Sequence, residues 1–237
     1  MPNTQRLTLT ARSAGDPVPD LTSLVMVHRA IRADLSRLTS LASPVIDEAA
    51  PPLQAEAVCR YTRQLLAAIR AHLGDEEGII WPLIAATARQ AVDLTLLTDD
   101  HQAIEAASHR TSRELACFAA EPGSHEAALR AMVGGLRDMA DEHIADEESQ
   151  LFPVMRRYLP AQDYRWCERQ IMRRTPARSL QFRLPWLARH ARRDELAPLL
   201  SAGGRRARVV LALNRPTYAR LERQAFGTQT HEKSEQK

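Results

Sequence analysis

Four histidines occupy positions at which an amphipathic helix normally carries Leu, Ile or Ala. Each belongs to a separate segment whose apolar residues recur every three or four positions, the helical period. They are His28, His72, His101 and His143. His72 precedes Glu76 and His143 precedes Glu147 by four positions, so each pair lies on one helix face. Because an unpaired buried polar group costs roughly 1–3 kcal/mol, we expect these side chains to converge on a shared partner.

Imidazole nitrogens and carboxylate oxygens together are ligands that suit iron, zinc, manganese or copper. Six such side chains exceed the four ligands of a structural zinc site, so they favour two metal ions. A single His–Glu pair is more often a surface contact, but that interpretation does not explain two matching pairs and two further histidines in register. A polar core network without metal is the alternative.

The elements that position these residues are four long amphipathic segments, separated by proline-containing breaks. The helices are predicted over residues 21–42, 53–80, 94–119 and 126–152. Trp81-Pro82 and Phe152-Pro153 are predicted to end the second and fourth helices and to close the bundle. Short links between four helices of this length predict an all-α fold, an up-down-up-down four-helix bundle.

An internal repeat relates the two halves of this bundle. Residues 20–31 align without gaps on residues 93–104, and residues 72–82 align on residues 143–153. The first alignment superimposes two of the histidines, and the second superimposes the two His-x-x-x-Glu pairs. The repeat predicts that the bundle consists of two similar helical hairpins.

Charge divides the chain into an acidic and a basic part. Residues 1–155 hold 13 Lys+Arg and 22 Asp+Glu, a net charge of −9, whereas residues 156–237 hold 19 and 7, a net charge of +12. Apolar residues alternate with the arginines of the basic part, as in amphipathic helices that pack. We expect this part to dock on the acidic bundle or to form a dimer contact, and we disfavour nucleic-acid binding.

The predicted organisation has four parts. Further helices are predicted in the basic part over residues 161–174, 184–200 and 208–226. The parts are a disordered segment over 1–19, the four-helix bundle over 20–155, a basic helical extension over 156–226 and a disordered tail over 227–237.

Composition excludes several classes of protein. Aromatic residues are 5% of the chain and Gly is only 9 residues, which argues against an all-β fold. The longest uncharged run has 11 residues, fewer than the about 20 of a membrane-spanning helix. No signal-peptide core is visible, and Cys59, Cys117 and Cys167 are scattered. We expect a cytoplasmic protein with free thiols.

The order and spacing of the histidines and glutamates resemble the hemerythrin-like family, also called the HHE cation-binding domain. The resemblance covers about residues 20–155 and rests on His28, His72-x-x-x-Glu76, His101 and His143-x-x-x-Glu147. It implies a non-haem di-iron centre, two Fe ions with an oxo or hydroxo bridge, for which Zn or Mn could substitute. Glu76 and Glu147 would be the bridging carboxylates. Glu77 and Glu148 lie one residue off the ligand face, so we expect them to be either solvated or in support of the ligands. It also implies activity towards O2, peroxide or nitric oxide, or iron and oxygen sensing.

One position departs from the oxygen-carrying members of that family. They have a second histidine one turn after the third-helix histidine, where this chain has Glu105. Glu105 is either a solvated residue or a seventh ligand, and we favour the ligand interpretation. An anionic ligand would stabilise ferric iron, so we expect a centre that reacts with oxygen species rather than one that carries O2. The predicted metal ligands are therefore His28, His72, Glu76, His101, Glu105, His143 and Glu147.

Three classes of function remain open at this point. The first is a di-iron protein that binds or reacts with a small diatomic or peroxide ligand, with enzymatic turnover undecided. The second is a regulatory module that uses the metal centre as a sensor and the basic C-terminal segment as a contact for a second copy or a protein partner. The third is a helical interaction protein without metal.

Overall fold

Helices make up nearly all the regular structure in the computed structural model, which describes residues 7, 9–41, 52–88, 91–192 and 194–227. No strand occurs among these residues, so the predicted all-helical class is confirmed. The helices are α1 Thr22–Ser40, α2 Pro52–Asp75, α3 Trp81–Ala88, α4 Thr95–Ala120, α5 Pro122–Asp146, α6 Phe152–Tyr158, α7 Ala161–Arg174, α8 Ala177–His190 and α9 Leu196–Phe226.

The four long helices that carry the predicted ligands pack against one another. Helix α4 packs along α5, α1 packs against α5, and α2 packs against α4 and α1. The buried face of α1 shows the cause, because Leu24, Ile31, Leu35 and Leu38 recur at helical spacing with His28 between them. The up-down-up-down order and the domain limits drawn from the sequence stay predictions.

A π-helical turn follows each His-x-x-x-Glu pair, over Glu76–Ile80 and over Glu147–Leu151. In each turn the residue before a proline donates its N–H to the carbonyl oxygen of the glutamate five positions back. The sequence predicted that Trp81-Pro82 and Phe152-Pro153 end their helices, and this prediction was wrong, since α3 and α6 continue. The wider turn displaces the carbonyl that the proline ring would otherwise meet.

The basic part of the chain forms α7, α8 and α9. Helix α7 has the predicted bounds, but the helix predicted over 184–200 was wrong: α8 contains Pro185 and ends at His190, and a new helix begins at Leu196. Gly204 has a φ of 58°, a conformation that suits glycine and kinks α9. Helix α9 therefore begins before, and includes, the helix predicted over 208–226.

These C-terminal helices dock on the first two helices. Helix α8 packs on α1 and α9 packs on α2. Residues of both parts share one buried apolar cluster. The buried Asp34 of α1 accepts hydrogen bonds from Trp186 Nε1 at 2.8 Å and from the Tyr61 hydroxyl. Since a buried carboxylate needs such partners, this network fixes α8 against α1 and α2.

The segment before α1 has no helix, and two of its residues bond to the C-terminal half. The Leu9 N–H donates to Asp163 Oδ2 at 3.3 Å and the Arg12 N–H donates to the Tyr158 carbonyl at 2.8 Å. Residues 1–6 and 8 of the predicted disordered segment, and residues 228–237 of the predicted tail, lie outside the described residues. No helix of the described part is long and apolar enough to span a membrane.

Candidate metal centre

The six histidines and glutamates that the repeat superimposes come together inside the helix packing. Each is at least 95% buried. Histidines reach this place from α1, α2, α4 and α5, and the glutamates stand at the start of the two π-helical turns. The six are His28, His72, Glu76, His101, His143 and Glu147.

These residues divide into two groups of suitable ligand atoms. One group contains His28, His72, Glu76 and Glu147, and the other contains Glu76, His101 and His143. Glu76 belongs to both groups, and its two oxygens face opposite ways. Oε1 lies 3.3 Å from His72 Nε2, whereas Oε2 lies 3.4 Å from His101 Nε2. One carboxylate oxygen is therefore directed at each group.

The distances between these atoms match those of ligands on one ion. His28 Nε2 lies 3.2 Å from Glu147 Oε2, and His101 Nε2 lies 3.1 Å from His143 Nε2. Two atoms that each lie about 2.1 Å from one ion, at 90° to 109°, are about 3.0–3.4 Å apart. Each group thus has the spacing of a coordination sphere.

Several of these atoms are buried without a hydrogen-bond partner in the described part of the chain. They include Nε2 of His28 and His72 and both oxygens of Glu76 and Glu147. An unmade bond at each of these atoms would cost roughly 1–3 kcal/mol. Cations placed within the two groups would satisfy all of them at once, so the residues present fit a pair of metal ions.

The outer nitrogen of two histidines is held by the glutamate that follows a predicted ligand. His28 Nδ1 lies 2.9 Å from Glu148 Oε1, and His101 Nδ1 lies 2.9 Å from Glu77 Oε1. Because a carboxylate only accepts, Nδ1 carries the proton in both and Nε2 is left free to bind a cation. The sequence left Glu77 and Glu148 as either solvated or supporting residues, and the geometry favours support.

Aromatic rings stack on the same two histidines. Trp81 stacks on His101 with ring centroids 4.4 Å apart, and Phe152 stacks on His28 at 5.7 Å. Both contacts cross between the repeats, since each aromatic residue follows the π-helical turn of the other hairpin. The sequence analysis gave these residues only a helix-ending role. Their alignment with each other in the repeat was the signal of a shared role beside the site.

The surroundings shift the pKa values of His28 and His72 in opposite directions. Burial alone would lower the pKa of His28, but the carboxylates of Glu147, Glu148 and Glu76 beside it raise it well above the ordinary value. Burial lowers the pKa of His72 well below the ordinary value, and the charge of His28 adds to this effect. The carboxylates around His28 thus favour positive charge at that position, whereas burial favours a neutral imidazole at His72.

The outer sides of His72 and His143 face different surroundings. His143 Nδ1 lies 3.5 Å from Asp100 Oδ2. His72 instead borders a cavity of about 70 Å³ between α1 and α2 and the C-terminal helices, with Leu184 and Leu187 among its walls. The extension thus contributes directly to the surroundings of one predicted ligand.

Glu105 is not brought into either group. Its side chain is 59% exposed, and its carboxylate lies 3.8 Å from Nε2 of the equally exposed His109. Ile104 takes the buried position on that turn of α4, and the next residue lies about 100° further round the helix. The structure therefore brings together six of the seven predicted ligands and leaves Glu105 on the surface.

The histidines assigned no metal role have other places. His109 pairs with Glu105, His125 Nδ1 lies 2.7 Å from Glu114 Oε1, and His190 Nε2 lies 3.4 Å from Asp34 Oδ1. His231 lies outside the described residues. None of the three described ones approaches the six clustered residues.

A family model described as the hemerythrin HHE cation binding domain matches residues 20–161. The match contains all six clustered residues and ends at the first residue of α7. No curated protein and no solved structure gives a significant match.

Proposed function

This chain belongs to the hemerythrin family of HHE cation binding domains, and from that premise we propose that it holds two iron ions with which it binds or reacts with O2, peroxide or nitric oxide. The observation that carries the proposal is the position of Glu76, which directs one carboxylate oxygen at each histidine pair. A carboxylate so placed is suited to bridge two cations. A metal-free polar network would leave the buried atoms of Glu76 and Glu147 unsatisfied.

The ligand assignment follows the two groups. His28, His72 and Glu147 would hold the first ion, His101 and His143 would hold the second, and Glu76 would contact both. The second ion then has fewer protein ligands, which leaves it a position for a small molecule. When bound, such ions supply Lewis acidity and electrons to an oxygen-containing ligand.

The chain's own residues keep this site ready. Glu148 and Glu77 hold the Nδ1 protons of His28 and His101, so that the Nε2 atoms face inward. Trp81 and Phe152 cover the same rings and keep water from them. The preference for reaction over O2 carriage rested on Glu105 as an anionic ligand. Because the Glu105 side chain is exposed, it gives no support to that preference.

We further propose that the long helices form the predicted up-down-up-down bundle and that the basic extension is its cover. Two acidic residues of the extension form ion pairs with α1: Glu195 pairs with Arg29, and Glu222 pairs with Arg37. These ion pairs favour a structural role over an external contact surface. The same ion pairs give no support to the alternative in which the metal centre is a sensor and the extension contacts a partner.

Metal analysis and absorption spectroscopy test the proposal. The purified chain should contain two irons, with near-ultraviolet oxo-bridge absorption that dithionite removes and air restores. His72→Ala and His143→Ala should each lose iron, because each deletes a ligand from its group. His109→Ala is the matched control, since His109 is exposed and lies apart from the cluster. Full iron occupancy in both ligand variants would contradict the assignment.

A further inference from the structure

We propose that the α4–α5 turn carries a separate metal site, for zinc or a similar divalent cation, built from Glu114, Cys117 and His125. One ligand atom from each of these residues lies within 4.8 Å of the others. The site is independent of the proposed di-iron centre, because it shares no residue with it. Nothing in the family match assigns a role to these three residues.

The turn between the two helices brings the three residues together. Glu114 and Cys117 are three positions apart, so they lie on the same face near the end of α4. Helix α4 ends at Ala120 and α5 begins at Pro122, which places His125 in the first turn of the returning helix. The Glu121 N–H donates to the Cys117 carbonyl at 2.9 Å and fixes the backbone there.

The side chains have the chemistry and mobility of zinc ligands. His125 Nδ1 lies 2.7 Å from Glu114 Oε1, a hydrogen bond that already holds these two side chains together. Cys117 is exposed and can rotate towards this pair. Thiolate, imidazole and carboxylate together suit zinc, and three protein ligands leave one tetrahedral position for water.

Binding at this site has a defined proton balance. The Cys117 thiol must lose its proton to solvent when the metal–sulfur bond forms. The other two cysteines are buried, and burial raises the pKa of Cys167 to about 12 and also raises the pKa of Cys59. A thiolate bound to an added metal therefore reports on Cys117.

Cobalt(II), a coloured substitute for zinc, provides the test on the full-length chain after its iron has been loaded. We expect a near-ultraviolet sulfur-to-cobalt band that saturates at one cobalt per chain and disappears when zinc is added. The band is recorded as the difference spectrum on cobalt addition, so that the iron absorption cancels, and it then distinguishes this site from the histidine and glutamate cluster, which contains no sulfur ligand. Failure of the di-iron proposal would change iron content and leave this band intact.

Three variants decide the assignment. Cys117→Ser should abolish the band, and His125→Ala should raise the cobalt concentration for half-saturation roughly tenfold or more. His109→Ala, which removes an exposed histidine of α4 paired with Glu105, should change nothing. The proposal is overturned if no sulfur band forms, if the band survives in Cys117→Ser, or if His125→Ala binds cobalt like the native chain.

Discussion

The two sequence repeats present matching candidate ligands, yet these ligands have different surroundings. On the first side, His28 is supported by Glu148, whose carboxylate also lies 3.2 Å from Arg32. On the second side, His101 is supported by Glu77, which is 46% exposed. The repeated sequence thus duplicates both the ligands and their supporting glutamates, while the neighbours of each glutamate, such as Arg32 beside Glu148, make the two halves different.

The glutamates of the two repeats also differ in the number of ligand groups to which they belong. Glu76 lies in both ligand groups, whereas Glu147 lies only in the group that contains His28. In addition, the extension packs on α1 and α2, so its cover adjoins His72. Equivalent positions in a repeat therefore need not make equivalent contributions to the site.

The largest expected difference lies between Glu76→Ala and Glu147→Ala. Glu76→Ala should lose both metal ions, because it removes a ligand from each group. Glu147→Ala should keep the ion held by His101 and His143, because their group is left intact. Metal content per chain, measured after loading and desalting, checks this prediction. Equal metal content in the two variants would show that the glutamates are equivalent after all.

The supporting glutamates should give the next largest difference. Glu148→Ala should weaken metal binding about 10–100-fold, because the loss of this carboxylate frees the His28 ring. Glu77→Ala should cost less, since its carboxylate is more exposed and therefore holds its histidine less firmly. Competition with a chelator measures both affinities. A larger loss in Glu77→Ala would reverse the proposed order of the two sides.

The ion pair between Glu195 of the extension and Arg29 of α1 should contribute about 1 kcal/mol to the free energy of unfolding, in a pH-dependent way. The hydrogen bonds from Arg29 lower the pKa of Glu195 to about 2 from an ordinary 4.5. A lowered folded-state pKa gives stability that is present above pH 4.5 and is lost as the pH falls towards 2. Glu195→Gln should therefore unfold at lower urea than the native chain at pH 6, with the difference vanishing near pH 2.

A matched control for that measurement is Glu142→Gln, which changes an exposed glutamate of α5. Its unfolding curves should follow those of the native chain at every pH. If Glu195→Gln shows the same difference at pH 2 as at pH 6, the Arg29 contact is not the source.

Glu105→Ala should have the smallest effect. Iron content, absorption spectrum and autoxidation rate should all match those of the native chain, because the side chain points to solvent. Arg32, its counterpart in the repeat, contacts Glu148, so Arg32→Ala should alter the metal affinity more. A changed spectrum in Glu105→Ala would restore the seventh-ligand hypothesis.

The sequence was sufficient to predict the clustered residues because a buried helix face has a fixed period. His28, His72, His101 and His143 each replace an apolar residue on such a face, and the repeat supplied the register between helices. The same helical period also favoured Glu105 as a ligand, although its side chain is exposed. That residue is four positions after His101, but His101 lies at the border of the buried face that Ile104 and Ser108 continue. The spacing of two residues along a helix does not show on which side of the first residue the buried face continues.

Other features have no local signal in the sequence. The π-helical turns depend on a shift of one hydrogen bond in a run whose composition is ordinary for a helix. The helix predicted over residues 184–200 begins beside Pro185, a residue that is common in the first turn of a helix, whereas Pro185 lies inside α8 in the structure. Docking of the extension depends on Asp34, whose partners Tyr61 and Trp186 are far away in sequence.

The paired π-helical turns can be regarded as phase offsets in otherwise regular helices. Each residue of an α-helix advances the side chain by about 100°, so one residue added to a turn rotates all that follows by that angle. Upstream of the offset the helix presents His72 and Glu76, and downstream it presents Trp81 to the neighbouring His101. Deleting Ile79 would restore the regular winding, leave the two ligands in place and turn the indole away from the ring that it covers.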